Sequence, residues 1–162
     1  MSFTIDALQP ADWDQVLRIY MEGVATGNAT FETSAPTWQE WDQAHLPHSR
    51  LAARCDGRVV AWAALAPVSR RACYAGVAEA SLYVAADQRG KGFGKALLQA
   101  LIIESERQGI WTLQGAAFPE NDASLRLQLA CGFRIVGRRE RIAQRDGAWR
   151  DTILTERRSS VL

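Results

Sequence analysis

Residues 79–107 read EASLYVAADQRGKGFGKALLQALIIESER: a strand, a glycine-rich turn and a helix in direct succession. The strand is expected from about Ala75 to Ala85, where apolar and aromatic residues dominate. The turn is Arg89-Gly90-Lys91-Gly92-Phe93-Gly94, and the helix runs from Lys95 to Gln108, closed by Gly109 in the position that ends many helices. Glycines at alternate positions let the backbone approach a ligand, and the helix behind them offers unpaired N–H groups and the positive end of its dipole. Such a loop cradles phosphate. It is not a Walker A loop, because three residues rather than four separate Gly90 from Gly94-Lys95, and Ala96 cannot ligate magnesium. Nor is it a dinucleotide fingerprint, since Gly94 comes one place early and no carboxylate ends a following strand at the required distance.

Upstream, Phe3–Ala7 reads as a short strand, and Pro10 opens a helical pattern in which Trp13, Val16, Leu17 and Tyr20 share one face. A poorer helix is expected over Thr37–Leu46. Arg50–Cys55 and Arg58–Ala66 form a hairpin at Asp56-Gly57, a dipeptide suited to tight turns. Downstream come a strand over Ile110–Ala117, a helix over Asn121–Ala130, and a last antiparallel pair, Phe133–Arg141 and Trp149–Thr155, around Asp146-Gly147. This order predicts a mixed α/β sheet with helices on both faces.

The 162 residues suit one domain, 1–162, with no linker or repeat. Hydrophobic residues at 48% and charged residues at 23% exclude intrinsic disorder and fibrous classes. A net charge of +1 supplies no global field for nucleic acid or anionic lipid, so any anion must be held locally. No apolar run reaches membrane-helix length, and a polar, acidic start predicts a soluble, cytoplasmic protein. Cys55, Cys73 and Cys131 lack a CxxC pair and read as reduced, partly buried residues. His45 and His48 read as surface histidines, and no metal is assigned. Arg138, Arg139, Arg141 and Arg145 read as a solvated edge rather than an RNA site. Trp38 and Trp41 are expected to line an opening, and Trp62 and Trp111 to be core.

The spacing Arg89-x-x-Gly92-x-Gly94 resembles the pyrophosphate loop of the GCN5-related N-acetyltransferases (GNAT). The likeness is strongest to the phosphinothricin acetyltransferase branch, with its arsinothricin-resistance and methionine sulfoximine relatives. Four stretches carry it: Ala29-Thr30-Phe31-Glu32-Thr33; Arg71-Ala72-Cys73-Tyr74 through Ala78-Glu79 to Leu82-Tyr83-Val84; the glycine loop; and Pro119-Glu120-Asn121-Asp122-Ala123-Ser124 with Cys131-Gly132-Phe133. Gly147-Ala148-Trp149-Arg150-Asp151 adds to them. The resemblance implies a mostly antiparallel sheet of six to seven strands and an acetyl-CoA-dependent transfer in a ternary complex. It implies that Arg89, Gly90, Lys91, Gly92, Phe93, Gly94 and Lys95 hold the pyrophosphate. It further implies a bulge near Glu79 that frees backbone groups of Leu82, Tyr83 and Val84 for the pantetheine and thioester. Asn121 and Ser124 are expected near the coenzyme, although an asparagine opening a helix serves equally as its N-cap.

Acetyl transfer needs a deprotonated amine, and an alkyl amine with pKa near 10 is only about one part in a thousand free base at pH 7. Glu79 aligns with the family's base and sits in an apolar strand, where desolvation would raise its pKa; the alternative is a carboxylate paired with arginine or facing water. Many relatives carry a tyrosine where this chain has Gln128, and glutamine is no acid, so Tyr83, Tyr74 or water would protonate the leaving thiolate. Arg71 with Tyr74 keeps the spacing of the phosphinothricin enzymes and would grip a carboxylate, ahead of the solvated Arg70. Glu32 belongs to the same acceptor set, and Phe31 either walls the pocket or belongs to the core. The implied acceptor is the α-amine of a small, doubly anionic glutamate analogue, and the implied role is resistance to such an antimetabolite. Competing readings are acetylation of a protein N-terminus or polyamine, and a noncatalytic acyl-CoA sensor. A homodimer is implied by the resemblance alone.

Overall fold

In the computed structural model, which describes residues 2–162, seven strands form one sheet in the order β1-β2-β3-β4-β5-β7-β6. They are β1 (Thr4–Ala7), β2 (Leu51–Cys55), β3 (Arg58–Pro67), β4 (Val77–Val84), β5 (Thr112–Ala117), β6 (Arg134–Arg145) and β7 (Ala148–Arg158). The helices are α1 (Trp13–Ala25), α2 (Trp38–Ala44), α3 (Phe93–Arg107) and α4 (Asp122–Ala130). Only β4 and β5 run parallel, joined by the α3 crossover; β1 and β2, though connected through α1 and α2, pair antiparallel.

Local chemistry sets the boundaries. Asp56-Gly57 and Asp146-Gly147 all take positive φ, the conformation a two-residue hairpin turn requires. Thr37 caps α2 by accepting from Glu40 N, while the Glu40 carboxylate accepts from Thr37 N in return. One face of the sheet buries Leu97, Leu98, Leu101 and Ile102 of α3 against Val60, Ala63 and Leu65. The other buries Val16 and Ile19 of α1 and Trp41 of α2 against Val59, Trp62 and Ala64. Each fully buried aliphatic side chain contributes about 1.5–3 kcal/mol, so both helical layers are held mainly by this burial.

Several expectations need correction. The β3–β4 register runs without a shift from Ala61↔Val84 to Pro67↔Ala78, so no bulge interrupts β4. Irregularities fall in β2 and β6 instead, at Ala53/Arg54, Ile135/Gly137 and Arg139/Ala143. The last hairpin is longer than its periodicity implied, because pairing with β7 carries β6 on to Arg145. Trp111 precedes β5 and is half-buried, lying over Gly76 rather than in the core. Two short 3-10 turns, Ala72–Tyr74 and Ala86–Gln88, flank β4. No helix among the described residues is long and apolar enough to cross a membrane.

Candidate active site

β4 is the axis of the site. It pairs with β5 only at Val77↔Thr112, Ala78↔Leu113 and Glu79↔Gln114, and beyond Glu79 the two strands part. The β5-facing backbone groups of residues 80–84 are therefore left without a strand partner, beside the turn that leads into α3. Gly90 and Gly92 take φ of 76° and 91°, where an L side chain is strained. The first hydrogen bond of α3 runs from Ala96 N to Gly92 O, leaving the N–H groups of Phe93, Gly94 and Lys95 free of intrahelical partners. Gly94 packs toward Leu82 and Val84, which joins the loop to the parted edge. Phe93 contributes only backbone there, since its ring is buried edge-on against Phe3. Arg89, Lys91 and Lys95 are exposed around the loop.

Simple alternation holds along β4. Ala80, Leu82 and Val84 pack toward α3, whereas Glu79, Ser81 and Tyr83 face α1 and α2. The Tyr83 side chain therefore belongs to the face opposite the glycine loop, stacked on Trp62 at 5.0 Å and edge-on to Tyr20 at 5.0 Å. Burial pushes the Tyr83 phenol well above its usual range, with the neighbouring Tyr20 adding to the effect, so it keeps its proton at neutral pH. Glu79 is exposed, so protein atoms alone do not provide the desolvation expected for it. The exposed Tyr74 lies in the β3–β4 connection with the Arg71 guanidinium 5.5 Å from its ring.

On the Glu79 face a cavity of about 560 Å³ opens between α1, α2 and the segment joining them. Its wall includes Tyr20, Trp41, Trp62 and Tyr83, with Glu32, Glu40, Ser81 and Thr30 supplying polar groups; no lysine or arginine lines it. Arg71 is thus not inside the cavity, and neither is Phe31, which packs edge-on against buried Phe118 at 4.9 Å. Trp41 lines the opening as expected, but Trp38 faces a second cleft and Trp62, though 1% exposed, forms part of the first. His45 is not a free surface histidine. It is half-buried on the cavity wall, its ring 4.3 Å from that of Trp41, and its Nδ1 lies 2.6 Å from Trp41 O. A carbonyl can only accept, so Nδ1 carries the proton and Nε2 is left as an acceptor. Burial pushes the His45 pKa below its usual value, and the charge of Arg50 acts in the same sense.

The segment from Val24 to Glu32 is fastened by residues far away in sequence. Arg150 on β7 donates to Gly27 O, Asn28 Oδ1 and Glu120 Oε2, and its guanidinium lies 3.6 Å from the Phe118 ring centroid. Arg145, expected in a solvated edge, is only 11% exposed and donates to Val24 O at the end of α1. Asn121 Oδ1 accepts from Ser124 N as the N-cap of α4, while its Nδ2 donates to Asn28 O. Ser124 Oγ accepts from Gln128, whose carbonyl accepts from Thr155. The side chains of Asn121 and Ser124 are thus engaged within the protein, and Gln128 is locked against the sheet. Motif reasoning misses this role of Arg150, because Gly27 and Asn28 lie over 100 residues away and Glu120 and Phe118 about 30; its one signal is its place in the stretch 147–151. Among the described residues, no group of three His, Cys, Asp or Glu could hold a metal.

The sequence profile of the acetyltransferase (GNAT) family matches residues 13–133. A phosphinothricin N-acetyltransferase of Alcaligenes faecalis is 32% identical over 95% of this chain and 81% of its own length. An L-methionine sulfoximine/L-methionine sulfone acetyltransferase of Pseudomonas paraeruginosa is 32% identical over 93% of this chain and 91% of its own. The structure of a GNAT superfamily phosphinothricin acetyltransferase from Sinorhizobium meliloti, in complex with AcCoA, superposes with a TM-score of 0.86 at 27% identity, covering 98% of this chain and 89% of that one.

Proposed function

The chain belongs to the acetyltransferase (GNAT) family, and from that premise we propose that residues 1–162 form one acetyl-CoA-dependent N-acetyltransferase domain acting on the α-amine of a small glutamate-analogue amino acid. The observation that carries this reading is the position of Glu79 at the last pair before β4 and β5 part, on the strand whose following residues Ser81 and Tyr83 line the cavity and whose Leu82 and Val84 approach the glycine turn. The residues present fit the coenzyme: left-handed Gly90 and Gly92 and the unpaired N–H groups opening α3 suit a diphosphate. The unpaired edge of residues 80–84 suits an extended amide-bearing arm. When bound, the coenzyme supplies the acetyl group as a thioester.

The protein's part is to bind, orient and deprotonate. Arg89, Lys91 and Lys95 add positive charge around the turn. Leu82, Tyr83 and Val84 offer backbone groups along the strand, and Asn121 and Ser124 hold the neighbouring helix start in place. Glu79 accepts the ammonium proton directly or through water, which shifts a thousandfold-unfavourable protonation state toward the nucleophile. Arg71, at the Glu79 end of β4, offers a guanidinium for the acceptor's α-carboxylate, and Tyr74 braces it. Glu32 belongs to the acceptor's surroundings as a lining residue of the cavity. Phe31 acts indirectly, by anchoring that segment to Phe118. The names of the relatives support acceptors of the phosphinothricin or methionine sulfoximine type, arsinothricin included by chemical analogy, and a resistance role follows if such a compound is the substrate.

A homodimer is part of the proposal, since β6 is an open sheet edge with Ile135, Val136 and Ile142 exposed. Light scattering on the purified chain tests it. The function is tested by thiol release from acetyl-CoA with a panel of amino-acid analogues. Glu79→Gln should lower kcat/KM by about 10²–10⁴-fold at neutral pH. Full activity of this variant refutes the assigned base, and absence of turnover with every amine supports a sensor instead. Spermidine belongs in the panel, because the acidic residues Glu32 and Glu40 favour a polyamine as the second reading.

A further inference from the structure

In the proposed reaction the amine lies by Glu79, and Arg71 in the β3–β4 connection supplies the cation for the α-carboxylate. The direction left for an amino-acid side chain is past Ser81 and Tyr83, into the cavity. Two carboxylates, Glu32 and Glu40, line that space, and it contains no lysine or arginine. Arg50 packs 5.2 Å behind the Trp41 ring, but it is paired with Asp42 and the carbonyls of Leu46 and His45 and does not line the cavity. Glu40 is held negative by the hydrogen bond from Thr37 N in the capping box. His45 brings no positive charge either, since burial keeps its ring neutral. An anionic side-chain end entering here would lose water to an aromatic wall and meet two like charges without a counterion. The uncharged polar groups on the wall are the hydroxyls of Tyr20, Thr30, Ser34, Ser81 and Tyr83, together with His45 Nε2 as an acceptor.

We infer that this cavity selects acceptor amino acids whose side chain ends in an uncharged, hydrogen-bonding group, of the sulfone or sulfoximine kind, over those ending in a phosphinate, arsonate or carboxylate. The inference rests on the proposed amino-acid N-acetyltransferase activity and narrows its substrate class.

The test compares kcat/KM for L-methionine sulfone and L-phosphinothricin, which share an α-amino acid head and differ in side-chain charge. The wild-type chain should prefer the sulfone by tenfold or more, and Glu40→Gln should shift the ratio about tenfold toward phosphinothricin. Glutamine retains the carbonyl that accepts from Thr37 N, so the cap survives. Ser34→Lys, which adds a cation at an exposed cavity residue, should move the ratio the same way and serves if the first variant fails to fold. Wild-type preference for phosphinothricin, for a cationic side chain such as that of ornithine, or a ratio unmoved by a folded variant overturns the inference. Calorimetric titration of the two compounds provides a readout without turnover. If neither is acetylated, the activity reading fails, while equal or reversed affinities overturn the selectivity by themselves.

Discussion

Replacing Arg150 with methionine keeps most of the side chain's volume and removes its fork. Three acceptors lose their donor, Gly27 O, Asn28 Oδ1 and Glu120, and Phe118 loses the guanidinium stacked on it. The Glu120 and Asn28 contacts are exposed and worth about 0–1 kcal/mol each. The half-buried bond to Gly27 O contributes about 1.5 kcal/mol, and the cation–π contact about 1 kcal/mol. The Gly27 and Asn28 contacts put a loss of about 1.5–2.5 kcal/mol on the segment that carries Thr30 and Glu32 to the cavity, although the Asn121 and Arg145 bonds remain. At 1.4 kcal/mol per decade, the KM for the acceptor amine should rise by about 10–100-fold. The KM for acetyl-CoA should change by less than about threefold, since the glycine turn is untouched. Arg150→Lys should recover only part of the loss, because an ammonium cannot reproduce the fork. Steady-state kinetics with each substrate varied, beside thermal melts, read the effect. An acceptor KM within twofold of wild type, or an equal rise for both substrates, would refute the reasoning.

Other outcomes follow from single contacts. Gly92→Ala puts a side chain at φ 91°, at a cost of about 1–2 kcal/mol, and should raise the KM for acetyl-CoA about tenfold with the acceptor KM unchanged. Gly115→Ala drives a methyl group into Gln128 and Thr155 and should lower Tm by about 5–10 °C in a melting scan. Arg54 holds the buried Asp12 carboxyl below its usual range, chiefly through their paired hydrogen bonds. A carboxylate depressed on folding stabilises above its unfolded pKa of about 3.9, and that stability is lost as pH falls through the folded value. Denaturant titrations should therefore show Arg54→Met destabilised by about 3 kcal/mol at pH 7, with the gap to wild type closing below pH 4; a constant gap speaks against the pair.

The order of elements and the site's two organising features were legible in the linear sequence, because their causes are local. A glycine triplet opening a helix and Asp-Gly between apolar runs act over a few residues, so each reads directly as a turn or a hairpin. The alternation of Glu79, Ser81 and Tyr83 likewise follows from strand geometry and held without the bulge that the family resemblance implied. What the tertiary structure alone decided lies where packing joins distant segments. It drew His45 from an apparently open helix end onto the cavity wall, and exposed Glu79 at the point where β4 leaves β5. It also set Arg145 and Arg150 against the end of α1, more than 100 residues away. Burial and charge environment depend on which surfaces the sheet brings together, and no spacing along the chain encodes that distance. The family's chemistry is thus written in short motifs, while the aromatic and acidic character of the cavity beside β4 arises only once α1, α2 and β4 close around it.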